Sequence, residues 1–254
     1  MNAPANFIGI DLASGKYPFT FAALDANRAL IAQGQGHMDD ILAYCSGQPT
    51  AILAINAPAP LPGTAEAAPA AKIPAIEEVL AAHGYTQSRI VYDPDSAPLR
   101  LKRGFALYQR LFHMGYQPFS ADEPAHTWLE VDAEACYWAW LGKPALDGRT
   151  LEGCQQRQLV LNNEGWPVAD PMEFYEEVTR YKLLHGHLPF DMILSLRMLH
   201  AMAAAITAWM VVLKPAQSCR MGREGSRQLY FPVPTLPEPP SVQKYDLPTL
   251  FPLT

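Results

Sequence analysis

Apolar runs separated by short polar breaks predict three strands at the start of the chain. Residues 6–13, 18–25 and 28–36 are apolar runs, and the breaks between them lie at 14–17 and 25–27. Breaks of this length are typical of hairpins. The three strands should therefore form an antiparallel meander.

A helix and a fourth strand follow this meander. Residues 37–47 have the spacing of a short amphipathic helix that ends at Gly47, and residues 50–56 have the pattern of a buried strand. A strand that is reached through a helix usually joins the sheet through a parallel crossover. The pattern therefore predicts the α/β class, with a mixed sheet of antiparallel and then parallel strands and helices on both faces.

The remaining pattern is mainly helical. It predicts a loop at 57–74, helices at 75–84 and 96–116, a strand ending near Glu130 and then a helix within 126–142, helices at 170–186 and 187–213, and a closing strand at 225–234. The helix at 187–213 should carry Pro189 in its first turn and form part of the core. The proline-dense residues 235–254 predict an extended arm, which leaves 1–234 as the expected domain.

Composition narrows the class of protein. The chain has 254 residues, 49% of them hydrophobic and 17% charged, which is enough for one large core. A net charge of −6 provides no general attraction for nucleic acid, so binding of that kind would depend on local basic clusters. The four cysteines form no CxxC pair and no secretory pattern is found, so we expect a cytoplasmic protein with reduced thiols. Arg197 and His200 interrupt the most apolar segment, which favours a core helix over a membrane span.

Three carboxylates stand at predicted element ends and are candidates for chemistry. Asp11 lies on the first strand, Glu130 ends a later strand, and Asp191 opens the last long helix. A single acid at an element end is usually a cap or a solvated side chain. Asp11 is different because it lies between apolar residues, where a carboxylate is costly unless it is paired or binds a metal.

Five patches of the chain stand out together: "IGIDLASG" (8–15), "AINAP" (54–58), "LEVDAEACYWAWLG" (129–142), "PFDMILSLRMLHAMAAAITA" (189–208) and "MGREGSRQLYFP" (221–232). In order and spacing they resemble a family of the ribonuclease-H-like superfamily known as domain of unknown function number 429, whose members are predicted nucleases. The resemblance implies a ribonuclease-H-like fold. It also implies a metal-dependent phosphodiesterase that acts on nucleic acid.

The resemblance also implies a metal site. Two Mg²⁺ or Mn²⁺ ions, roughly 3.5–4 Å apart, would activate water and stabilise the leaving oxygen. Asp11, Glu130 and Asp191 would be the catalytic acids and, with Asn56, the metal ligands. Asn56 stands where the family usually has aspartate, so one negative charge is missing and we expect weak occupancy of one metal position. The alternative is a non-catalytic module that binds nucleic acid or protein through the same cleft.

Two further acids compete for the position of Glu130. The family proline that follows the glutamate is absent, and Asp132 and Glu134 lie close by in sequence. On a helix that starts near Asp132, Glu134 should point away from the metal face. We therefore rank Glu130 first and Asp132 second.

Basic clusters are the candidates for contacts with a phosphate backbone. Arg100, Lys102 and Arg103 lie together on the helix predicted at 96–116, and Lys214, Arg220, Arg223 and Arg227 form a second group. The alternative interpretation is an ordinary solvated surface. The "HGH" segment at 185–187 could hold zinc through its two histidines, but its place between two predicted helices favours a turn.

Overall fold

The computed structural model describes residues 6–60, 85, 97–121, 125–186, 188–221 and 228–232. In these residues the strands are β1 (Asn6–Leu12), β2 (Phe19–Asp25), β3 (Leu30–Gly36), β4 (Ala51–Asn56), β5 (Gln117–Pro118), β6 (Thr127–Val131), β7 (Ser218–Met221) and β8 (Leu229–Pro232). They form one mixed sheet in the order β3-β2-β1-β4-β6-β8-β7, and β5 pairs with β6 beside this path.

Helices cover both faces of the sheet. They are α1 (Met38–Ser46), α2 (Leu99–His113), α3 (Ala133–Leu141), α4 (Leu151–Asn163), α5 (Glu173–His185) and α6 (Leu196–Leu213). Helices α1 and α2 pack with the apolar side chains of one face, and α3, α4 and α6 pack with those of the other. The predicted α/β class, with a mixed sheet and helices on both faces, is confirmed.

The pairing of the strands brings polar residues to one edge of the sheet. β1, β2 and β3 form the predicted antiparallel meander, while β4 pairs in parallel with β1 and β6 pairs in parallel with β4. The carboxyl ends of β1, β4 and β6 therefore lie at the same edge. In this register Asp11 is opposite Asn56, and Ile55 is opposite Glu130.

The apolar helix α6 lies directly on the centre of the sheet, where Gly9 of β1 allows its backbone to approach. A Cβ atom at Gly9 would be only 1.9 Å from the carbonyl oxygen of Ala201. The stretch Phe190–Leu213 is long and apolar enough to span a membrane, but 72% of its apolar window is buried in the domain. This burial is what a core helix requires.

The last long helix begins later than the prediction of 187–213. Helix α6 starts after Ser195, whose hydroxyl accepts the backbone N–H of Met198, and Asp191 belongs to a separate 3-10 turn. The side chain of Gln158 donates to the carbonyl oxygen of Met192 at the end of the 3-10 turn and accepts the backbone N–H of Leu194 within the break. These bonds satisfy backbone groups that a continuous helix would have satisfied, which is why the break is tolerated. The prediction that Asp191 opens the long helix was wrong, because the helix starts after Ser195.

Some other elements differ from the predictions or lie outside the described part. Helix α4 and strand β7 were not predicted, and β8 is shorter than the strand expected at 225–234. Most of the predicted loop at 57–74, the helix predicted at 75–84 and the arm at 235–254 lie outside the described residues.

Candidate functional site

A cleft of about 560 Å³ opens at the carboxyl ends of β1, β4 and β6. Open α/β sheets bind ligands at this edge. The charged residues that line the cleft are Asp11, Glu130, Asp132 and Glu134 together with Arg100, Arg197 and His200.

Asp11 lies at the centre of this cleft and is only 3% exposed. The side-chain amide of Asn56 donates to its Oδ1 at 2.7 Å, and Nε of Arg197 donates to its Oδ2 at 3.3 Å. Nδ1 of His200 lies 3.5 Å from Oδ1. Burial alone would raise the pKa of Asp11, but contact with His200, with help from Arg100 and Asn56, holds it below its usual value.

Asn56 uses both the nitrogen and the oxygen of its side-chain amide, which explains why an amide rather than a carboxylate stands here. Its nitrogen donates to Asp11, while its Oδ1 accepts the backbone N–H of Ala133 at 3.0 Å. An aspartate could accept from Ala133 but would oppose the Asp11 carboxylate. Asn56 therefore joins the ends of β1 and β4 to the start of α3.

His200 bridges two carboxylates. Its Nε2 is 2.7 Å from Oε1 of Glu134, whose Oε2 accepts from Arg157 at 2.6 Å. Burial alone would lower the pKa of His200, but its bonds to Asp11 and Glu134 outweigh burial and raise the pKa to about 9. Burial likewise would raise the pKa of Glu134, whereas His200 and Arg157 hold it below its usual value. At neutral pH, His200 is thus an imidazolium ion.

Arg197 links α6 to the turn between β1 and β2. Its guanidinium donates to the carbonyl oxygens of Tyr17 and Pro18 as well as to the carboxylate of Asp11. These bonds fix a second cation beside Asp11.

The other acids of the cleft also have partners. Glu130 is 2% exposed, and its Oε2 accepts the backbone N–H of Ala59 at 2.8 Å. Asp132 caps α3 by accepting the N–H of Ala135, and the hydroxyl of Tyr85 donates to the same oxygen at 3.1 Å. Each carboxylate therefore has a structural task in addition to any role toward a ligand.

The predicted basic residues of α2 support the chain at the rim of the cleft. Arg100 donates to the carbonyl oxygen of Leu12 at 2.9 Å and to that of Asn56, and Arg103 donates to Ala13 at 2.7 Å. Lys102 is exposed. Contact of these three residues with nucleic acid stays a prediction.

The structure brings together three of the four residues predicted for the metal site. Asp11, Asn56 and Glu130 line the cleft, whereas Asp191 is exposed on its 3-10 turn and is not among the described residues that line it. The expectation that Glu134 points away was also wrong. It lines the cleft because His200 and Arg157 bind its two carboxylate oxygens.

Sequence reasoning missed the cations that complete the site. Arg197 and His200 are three residues apart in an otherwise apolar helix, and residues with this spacing share one face. Their polarity was therefore a usable signal for a buried polar partner, which proved to be Asp11. Arg157 gave no such signal because α4 is polar on most sides.

The donor set does not fit the two metal ions that the resemblance implies. Both oxygens of Asp11 are bound by protein donors, and Asn56 turns its nitrogen rather than its oxygen toward Asp11. In the described part of the chain, no three His, Cys, Asp or Glu side chains are arranged to hold a metal ion. The positions beside Asp11 carry Arg197 and His200, which already neutralise it.

No family model, curated protein or solved structure matches this chain. The geometry of the cleft is therefore the basis for a functional proposal.

Proposed function

We propose that this chain is a nucleic-acid-binding protein on a ribonuclease-H-like fold, and that it binds without metal-dependent cleavage of the phosphodiester. The observation that carries this proposal is the placement of two protein cations, Arg197 and His200, on the carboxylate of Asp11. In a two-metal nuclease that carboxylate would bind the metal ions. Here its charge is balanced from within the protein.

The sheet supports the ribonuclease-H-like part of the proposal. An antiparallel meander is followed by parallel strands, with Asp11 near the end of β1 and Glu130 near the end of β6. This is the arrangement that the resemblance implies. From the last long helix, His200 lines the cleft, whereas the expected acid Asp191 is not among the described residues that line it.

The balance of charge supports binding of an anion without metal. The chain has a net charge of −6. The charged residues that line its cleft are four acids and three cations: Asp11, Glu130, Asp132 and Glu134 against Arg100, Arg197 and His200. Arg157 behind Glu134 and Arg103 beside Ala13 add two more cations. Two divalent ions would add positive charge to a site that is already balanced, whereas a phosphate group can approach the arginines at the rim.

Retention of nucleic acid should be independent of divalent metal. Fluorescence anisotropy with a labelled single-stranded oligonucleotide should give the same affinity in EDTA as in Mn²⁺, because the cations of the cleft belong to the protein. The same oligonucleotide should remain intact on a denaturing gel. Cleavage that requires Mn²⁺ and disappears in the Asp11→Asn variant would contradict the proposal, as would an affinity lost in EDTA.

The basic residues at the start of α2 should contribute to the salt dependence of binding. Replacing Arg100, Lys102 and Arg103 by alanine should reduce the slope of log affinity against log salt by roughly 0.7–0.9 per lost phosphate contact. The Arg110→Ala variant is the matched control, because Arg110 lies on the same helix but binds the exposed Asp39. A slope that is the same in both variants would leave the three residues without a role in binding, and melting curves would verify that both variants are folded.

A further inference from the structure

Among the residues that the structure describes, Arg157 is the largest fully buried side chain, and the proposed function uses only its charge. It lies on α4, away from the strand ends that form the cleft, and is 2% exposed. Its Nη1 donates to the carbonyl oxygens of Leu146 and Gly153, both at 2.8 Å, and its Nη2 donates to Glu134 at 2.6 Å. Only the last of these bonds reaches a residue of the cleft.

Two glycines shape the surroundings of this guanidinium. A Cβ atom at Gly148 would lie 3.3 Å from Cζ of Arg157 and 2.5 Å from the side chain of Leu196. A Cβ atom at Gly153 would lie 2.0 Å from the carbonyl oxygen of Asp147. The backbone before and within α4 is therefore closed tightly around the arginine, with the ring of Tyr137 centred 5.5 Å from its Cζ.

Stability alone does not account for this arrangement. A buried ion pair often contributes less to stability than well-packed apolar side chains of similar volume. In addition, Nε of Arg157 has no hydrogen-bond partner among the described residues, and an unsatisfied buried donor is costly. What the arginine does provide is a fixed direction for Glu134, because its planar group is held by the two carbonyl oxygens.

The direction of Glu134 determines that of His200. With Oε2 held by Arg157, Oε1 of Glu134 meets Nε2 of His200 at 2.7 Å, and the opposite ring nitrogen then faces Asp11. Four side chains of alternating charge thus run in series from α4 to β1.

We propose that Arg157 is a positioning residue of the cleft, which acts through Glu134 to orient the imidazole of His200 on Asp11. This inference rests on the proposed function for its effect on nucleic acid. Its effect on the imidazole is independent of that function. Without Arg157, the carboxylate of Glu134, which lines the cleft, loses this cation and opposes a bound phosphate.

The imidazole N–H protons of His200 provide the direct test. In the wild-type chain, the Nε2 proton should give a downfield NMR signal that exchanges slowly with water, because it is buried in a bond to Glu134. In Arg157→Met, which keeps an apolar stem of similar length, this signal should broaden or vanish while the amide spectrum stays dispersed. Arg149→Met is the matched control, because Arg149 is exposed and pairs with Asp147. The control should keep the signal.

Affinity for a single-stranded oligonucleotide should fall in parallel. In Arg157→Met, the carboxylate of Glu134 no longer has this cation beside it, which should weaken binding of a phosphate by roughly tenfold. The loss should be smaller when Glu134→Gln is already present. If Arg157→Met does not fold, Arg157→Gln replaces it, since an amide can still donate to the carbonyl oxygens but carries no charge for Glu134. A His200 signal that is unchanged in a folded Arg157 variant would overturn the inference. Failure of the wild-type chain to bind nucleic acid would instead overturn the proposed function and leave the test of the His200 signal in place.

Discussion

Replacement of Asn56 by aspartate should destabilise the fold by about 3–5 kcal/mol at neutral pH, the cost of leaving a buried charge without its partner. The variant loses the N–H that now donates to Asp11 at 2.7 Å and places a second carboxylate against the first. Two buried carboxylates in contact share a proton at low pH, so the loss should become smaller as the pH falls. Urea denaturation followed by circular dichroism at several pH values measures this effect.

The matched control for this prediction is Asn27→Asp, which makes the same chemical change in an exposed turn. It should alter the unfolding free energy by less than about 0.5 kcal/mol. A second measurement compares the unfolding free energy of Asn56→Asp with and without Mn²⁺. Because Arg197 and His200 stay beside Asp11, the metal should not restore the stability of Asn56→Asp. A gain of about 2.7 kcal/mol at a hundredfold excess over the dissociation constant would reveal a metal site and contradict the metal-free proposal.

The fold could be predicted where local pattern and topology agree. Apolar runs with short breaks identify β1, β2 and β3, and a helix before the next apolar run predicts that β4 joins the sheet by a parallel crossover. The start of α6 could not be predicted in this way. It depends on Gln158, a residue of α4 far away in sequence, whose side chain takes up the polar groups of the break.

The sequence could predict only those residues of the site that stand at the ends of strands. Asp11 and Asn56 come together because each stands at the end of a parallel strand, and the register of the sheet places them opposite each other. Glu134 was misplaced because its direction depends on two partners from other helices, Arg157 and His200. A helical wheel of α3 alone contains no information about them.

Asn56 shows how strongly the interpretation of one residue depends on its neighbours. Considered by its charge alone, an asparagine in place of an aspartate is a weakened metal ligand. Considered with its neighbours, it is a residue that must both donate to Asp11 and accept from Ala133. At neutral pH an amide does both, whereas an ionised carboxylate can only accept. Asn56 therefore acts together with Arg197 and His200 as a partner of the Asp11 carboxylate.

Stability should depend on pH through His200, with a maximum in the mildly acidic range. The pKa of His200 is raised from 6.5 to about 9 in the folded chain, so its contribution is complete below pH 6.5 and is lost as the pH rises through 9. The carboxyls of Asp11 and Glu134 have lowered pKa values, so their contribution is present above about pH 4.5 and is lost at lower pH. Stability should therefore be highest between about pH 4.5 and 6.5.

The size of the alkaline loss should be roughly 3 kcal/mol in unfolding free energy, from the difference between the two pKa values of His200. Urea titrations between pH 6 and pH 10 would measure it. His200→Gln should be less stable than the wild-type chain at pH 6 and should lack this loss, because glutamine has no proton to release. His113→Gln should keep the full loss, since His113 is exposed and contacts Gln109 and Phe112 of its own helix α2. If the wild-type profile is flat across this range, or if His200→Gln declines as steeply, His200 is not the internal cation of the cleft, and the charge that neutralises Asp11 must come from elsewhere.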